Sequence, residues 1–135
     1  MIGLDSNVLV RYLVQDEPDQ AARATQLIEQ ELSAVNPGFI GLIVLVETCW
    51  VLRRLYRVTS AELLQVVADL LDTQQLVVEN RPAVLQALDD SRTRRCTLVD
   101  ALVARCATAA GCSRVVTFDR GARSAGMTLL DGGSA

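Results

Sequence analysis

The 135-residue chain is half hydrophobic and carries a formal net charge of -3. It therefore has the apolar content for a sizeable core and lacks the overall basic field of a simple nucleic-acid binder. All thirteen basic residues are arginine and histidine is absent, which excludes an imidazole acid–base, a Ser-His-Asp triad, a His-ligated zinc site, a P-loop lysine and a lysine Schiff base.

One domain over residues 1–135 is the expectation for this length. The longest apolar run, Gly38 to Leu52, is short for a membrane span and contains Glu47. The N-terminus has no basic n-region. These features predict a cytoplasmic protein with no membrane association. Cys49, Cys96, Cys106 and Cys112 form no Cys-x-x-Cys pair, and Cys49 and Cys106 fall in apolar helical patterns, as small core residues do.

In chain order, Met1 to Leu4 predicts a short buried strand ending at Asp5, and Asn7 to Val14 a helix. Asp16-Glu17-Pro18 marks the next helix start, with proline in the first turn and an apolar stripe of Ala21, Ala24, Leu27, Ile28 and Leu32. After the Asn36-Pro37-Gly38 turn come a strand over 38–42 and a helix over 43–56. Thr59-x-x-Glu62 is a capping-box pattern opening a helix to Leu71. Leu76 to Glu79 predicts a strand, Asn80-Arg81-Pro82 opens a helix to Asp90, and Ser91 to Arg95 reads as a basic loop. A helix over 97–110 stops at Gly111. Arg114 to Phe118 is a strand ending at Asp119, Gly121 to Ser124 a turn, and Met127 to Leu130 an edge strand before a loose Gly-Gly-Ser-Ala tail. Strands alternating with helices predict an α/β fold on a mostly parallel sheet.

Most of the sixteen acids fall on polar helix faces, but Asp5, Glu47, Asp100 and Asp119 do not. Asp5 and Asp119 end strands. Glu47 has Ile43, Val44, Trp50 and Val51 at helical spacing, and Asp100 has Val103 and Ala104, so both are expected on inward faces. In an open parallel sheet, strand ends and the following loops gather at one edge. Carboxylates brought together there repel unless a cation holds them, and an all-oxygen ligand set favours Mg²⁺ or Mn²⁺. Each acid also has a structural reading. Asp5 suits a helix cap, Asp100 a Thr97-x-x-Asp100 capping box, Asp119 a turn or N-cap, and Glu47 a buried pair with Arg53 or Arg54. Ser6, Asn7 and Thr117 stand beside these acids, either orienting them or forming caps and turns. Arg92, Arg94 and Arg95 form either a phosphate-contacting cluster or a solvated loop.

Four stretches carry a resemblance: Leu4-Asp5-Ser6-Asn7-Val8-Leu9, Val46-Glu47, Val99-Asp100-Ala101-Leu102-Val103-Ala104 and Val116-Thr117-Phe118-Asp119-Arg120. In this order they resemble a PIN domain, and among these the VapC toxins of toxin–antitoxin pairs. The resemblance implies a three-layer domain with a central, mostly parallel sheet of four to five strands flanked by helices. It places the catalytic, metal-binding acids on Asp5, Glu47, Asp100 and Asp119, with polar helpers at Asn7 and Thr117. It implies a Mg²⁺-dependent endoribonuclease, dimeric, acting on RNA and inhibited by a VapB-type antitoxin. Ser6 stands where Thr is common, Thr97 where many members carry an additional Asp, and Arg120-Gly121 adds no further acid. Two rivals stand beside this reading. A silent PIN-like scaffold would bind RNA or a protein without turnover. An aspartyl phosphoryl-transfer domain normally uses a lysine, and this chain has none.

Overall fold

Leu9, Ile28, Ile40, Leu45, Leu52 and Val67 are the large side chains most completely hidden from water in the first half of the chain. They come from the expected strands and helices, now seen in a computed structural model that describes residues 1–130. The expected Gly-Gly-Ser-Ala tail lies outside the described residues. Backbone proximity divides the chain into two compact units, Met1–Arg81 and Pro82–Ala135.

The first unit contains β1 (Ile2–Gly3), α1 (Ser6–Val14), α2 (Pro18–Thr25), β2 (Gly38–Ile40), α3 (Leu42–Leu55), α4 (Ser60–Asp72) and β3 (Leu76–Val78). The strands form a parallel sheet in the order β1-β2-β3, with Gly3 opposite Phe39 and Phe39 opposite Val77. β2 is central because α1 and α2 cross over from β1, and α3 and α4 carry the chain on to β3. Gly38 sits in close packing: a Cβ there would lie 2.8 Å from a Leu32 methyl and 2.9 Å from a Leu4 methyl, and both side chains would have to shift. Its neighbours fill the sheet face because Gly38 has no side chain.

Local sequence sets the helix starts. Glu17 caps α2, its carboxylate accepting from the amides of Asp19 and Gln20, with Pro18 at the first helical position. Beyond Thr25, α2 widens into a π-helical turn over Gln26–Glu31, closed by Leu32 N–H donating to Leu27 O at 2.9 Å. Thr59 and Glu62 form both bonds of the capping box expected for α4, at 2.9 and 3.1 Å. The bond from the Thr59 amide holds the Glu62 carboxyl below its usual value. Thr59→Ala is expected to cost about 1 kcal/mol, lowering Tm by roughly 3–4 °C for a chain of this size in a thermal melt.

The second unit contains the body of α5 (Arg81–Arg94), α6 (Leu98–Ala109), β4 (Val116–Thr117), a 3₁₀ turn (Arg120–Ala125) and β5 (Thr128–Leu129). β4 and β5 pair in parallel. The α/β class and the parallel pairing are as expected; the described strands form a three-stranded and a two-stranded ladder. The basic loop expected over Ser91 to Arg95 is instead the last turn of α5, which ends where Arg95 takes a φ of 54°. The reason is nonlocal. Asp90, its side chain 6% exposed, accepts two bonds from Arg105 of α6, at 2.7 and 2.8 Å. That fork ties α5 to α6 one residue before the polar stretch whose sequence alone suggests a loop. α6 begins at its Thr97 cap and ends just before Gly111, whose φ of 98° is the left-handed conformation of a helix stop.

All four cysteines are free, and burial pushes the Cys49 thiol up to about 12. No helix among the described residues is long and apolar enough to cross a membrane.

Candidate active site

Asp5 occupies the N-cap position of α1 in extended backbone conformation, yet its side chain makes no capping bond. Its backbone carbonyl serves the helix instead, accepting from Val8 and Leu9. The carboxylate is exposed and receives Asn7 Nδ2 at 3.1 Å. The cap reading of Asp5 is thereby replaced: the position belongs to the helix start, but the charge is left facing outward.

The adjacent Ser6 turns the other way. It is buried at 6% exposure, and its hydroxyl donates to Glu47 Oε1. One strand-to-helix corner thus holds two carboxylates: Asp5 directly, and Glu47 through the neighbouring serine. The expected partners Arg53 and Arg54 do not pair with Glu47. Arg53 donates to Val58 O at 2.8 Å, and Arg54 lies over the Trp50 ring at 5.0 Å.

Glu47 also departs from its expected inward orientation. The buried stripe of α3 is Leu45, Thr48, Cys49 and Leu52, whereas Glu47 is exposed between Ile43 at 86% and Trp50 at 55%. The helix is apolar on nearly every face, so apolar spacing does not fix its rotation. Its first turn is held by a residue the sequence reasoning missed. Glu79, just after β3, accepts the Leu42 amide at 2.8 Å and caps α3 from another strand. Gly41, at the cap position, has no side chain to do so. An acid following an apolar strand was the available signal, the same one that singled out Asp5 and Asp119.

In the second unit, Thr97 Oγ1 accepts the Asp100 amide at 3.1 Å, one half of a capping box. The Asp100 side chain does not complete the box. Asp100 is half-buried, beside the inward stripe of Leu98, Ala101 and Leu102; Val103, expected inward, is 46% exposed. Asp119 does serve as a cap: its Oδ1 accepts the Gly121 amide at 2.9 Å, and Thr117 Oγ1 accepts the Asp119 amide at 3.0 Å. The second Asp119 oxygen makes no hydrogen bond among the described residues. Arg92, Arg94 and Arg95 are exposed, Arg94 standing 4.0 Å from Asp90.

None of Asp5, Glu47, Asp100 or Asp119 is ion-paired with an arginine among the described residues. Nor do three or more Asp, Glu or Cys side chains stand together there as a ready metal cage. The donor chemistry suits a hard cation: each acid keeps at least one carboxylate oxygen without a protein donor, and the neighbours are hydroxyl and amide groups.

A comparison with the curated proteins finds no match. The sequence profile described as PIN domain matches residues 2–126, across both units and all four acids, and the chain therefore belongs to the PIN domain family.

Proposed function

We propose that the protein is a Mg²⁺- or Mn²⁺-dependent endoribonuclease of the VapC toxin type, inhibited by a VapB-type antitoxin and acting as a homodimer. PIN domains are nuclease folds, generally ribonucleases; they typically use Mg²⁺ or Mn²⁺ and often pair with antitoxins. The observation that carries the reading is the β1–α1 corner. There Asn7 is bonded to Asp5 and Ser6 to Glu47, and no arginine neutralises either acid. Exposed carboxylates held by polar side chains and left without an arginine partner are open to a hard cation.

Asp5, Asp100 and Asp119 are the proposed metal ligands, with Glu47 binding directly or through water. A divalent ion bound by such carboxylates would supply an activated water and offset charge on the phosphate. Asn7 holds the Asp5 carboxylate by one oxygen, leaving the other free. Ser6 does the same for Glu47, whose other oxygen is then available to accept a proton. Thr117 positions Asp119 through its backbone amide. Arg92, Arg94 and Arg95 are proposed phosphate contacts, now placed at the end of a helix. The exposed Ile43 and Trp50 flank Glu47 on α3, which gives a covering antitoxin segment apolar surface on both sides of that acid.

The test is metal-dependent cleavage. Purified protein is incubated with total RNA after EDTA treatment, then with Mn²⁺ restored. Discrete cleavage that appears only with metal is expected. A chain that binds RNA but never cleaves it, at any Mn²⁺ concentration, is the silent scaffold instead.

A further inference from the structure

Between α1 and α2 lies a cleft of about 310 Å³ that the proposed chemistry does not use. Its walls are aliphatic: Val8 from α1, Ala24 from α2, and Leu27 from the π-helical turn. Its polar lining is Asn7, Gln20 and two arginines. Asn7 belongs to both places, since the side chain that lines the cleft also donates to the Asp5 carboxylate at 3.1 Å. Whatever occupies the cleft is therefore one side chain away from a proposed metal ligand.

The hydrogen bonds leave a defined set of free groups. Asn7 uses its amide N–H on Asp5, so its carbonyl oxygen is free to accept. Gln20 uses its carbonyl oxygen to accept Arg11 Nε at 2.8 Å, so its amide N–H groups are free to donate. Arg11 is held by Asp16 and the Tyr56 hydroxyl as well, which makes it a fixed wall. Arg23 is exposed and makes no hydrogen bond among the described residues. The cleft thus combines aliphatic walls, one acceptor, one donor, and an unengaged guanidinium. A nucleobase has apolar faces, a donor–acceptor edge and a phosphate attached through its sugar, and Asn and Gln side chains pair with such edges. The local widening of α2 fits this use, because π-helical turns are frequent at functional sites.

We propose that this cleft is a base-binding subsite for a nucleotide adjacent to the cleaved phosphate, resting on the nuclease reading above. Val8, Ala24 and Leu27 receive the base, Asn7 and Gln20 read its edge, and Arg23 contacts its phosphate.

The test uses fluorescein-labelled decamers of uridine, adenosine or cytidine and a base-free ribose-phosphate decamer. Binding is read by anisotropy with Ca²⁺ in place of Mn²⁺. The quantity of interest is the preference for the best base-bearing decamer over the base-free one. Gln20→Ala and Leu27→Ala are each expected to reduce that preference, Leu27→Ala by about tenfold, the order expected for the apolar contact it removes. Gln20 is exposed, so its variant guards against a Leu27→Ala chain that fails to fold. Arg23→Ala is expected to weaken both decamers alike and to flatten the salt dependence. A preference unchanged in both folded variants overturns the proposal. So does tighter binding, dependent on Leu27, of an acidic peptide such as Glu-Asp-Leu-Phe-Glu-Leu with no preference for bases, which makes the cleft a peptide site. Cleavage assays with Mn²⁺ on the same decamers separate the two readings. Cleavage with an unchanged base preference sinks the cleft alone, and a lost preference without any cleavage sinks the nuclease reading and with it the placing of the cleft beside a cleaved phosphate, leaving base binding alone.

Discussion

Asp5→Asn is expected to leave the fold intact and to cost more than about a hundredfold in Mn²⁺-dependent RNA cleavage. The substitution keeps the size and shape of the side chain and removes its charge. Asp5 is exposed, makes no ion pair among the described residues and does not cap α1 with its side chain. Its charge therefore contributes little to folding, and Tm is expected to move by less than about 2 °C. Loss of a mere hydrogen-bonding partner of a metal ligand costs ten- to a hundredfold in affinity or activity, so loss of a ligand should cost at least the upper figure. Ser6→Ala supplies the graded comparison. It removes only the hydroxyl that holds Glu47, and about tenfold is expected. Single-turnover cleavage with circular dichroism of each variant checks both. A folded Asp5→Asn chain that cleaves as fast as the parent refutes the assigned role.

Asp90→Ala is expected to destabilise the chain by about 2–3 kcal/mol, near the low end for a broken buried pair, because the stranded Arg105 still reaches water. Its side chain is 32% exposed against 6% for Asp90. A fall in Tm of roughly 10 °C follows for a chain of this size. The pair also sets a pH dependence. The hydrogen bonds from Arg105 hold the Asp90 carboxyl below its ordinary value and outweigh the opposing effect of burial. A carboxyl whose folded value lies below its unfolded one stabilises the fold above the unfolded value of about 4. That stability is lost as pH falls through the folded value. Denaturant melts between about pH 3 and 7 should show a shallower acid limb in Asp90→Asn than in the parent.

The Asp90–Arg105 pair also shows why some of this structure was legible in the sequence and some was not. The caps of α2, α4 and α6 were readable because each is local: Glu17 and Pro18, Thr59 with Glu62, Thr97 before Asp100. The stop at Gly111 was readable because only a residue without Cβ turns left-handed there at no cost. The true length of α5 was not, since no local pattern marks Ser91 to Arg94 as helical and the tie at Asp90 comes from an arginine fifteen residues downstream in another helix. The rotation of α3 was hidden for a different reason. Ile43, Val44, Leu45 and Val46 are all apolar, so no contrast marks the inward face, and Glu47 was assigned the wrong side. Among the candidate residues, the local pairings of Asn7 with Asp5 and Thr117 with Asp119 follow from adjacency, as expected. The Ser6–Glu47 bond spans 41 residues and no local pattern announces it.

The Glu79 cap has a consequence for the order in which the protein is built. The Leu42 amide has no acceptor of its own neighbourhood to satisfy it, and the carboxylate that does so arrives 37 residues later in the chain. Until β3 docks, the leading turn of α3 leaves that amide to water. The capped start of the helix that bears Glu47 is thus complete only once the third strand has joined the sheet.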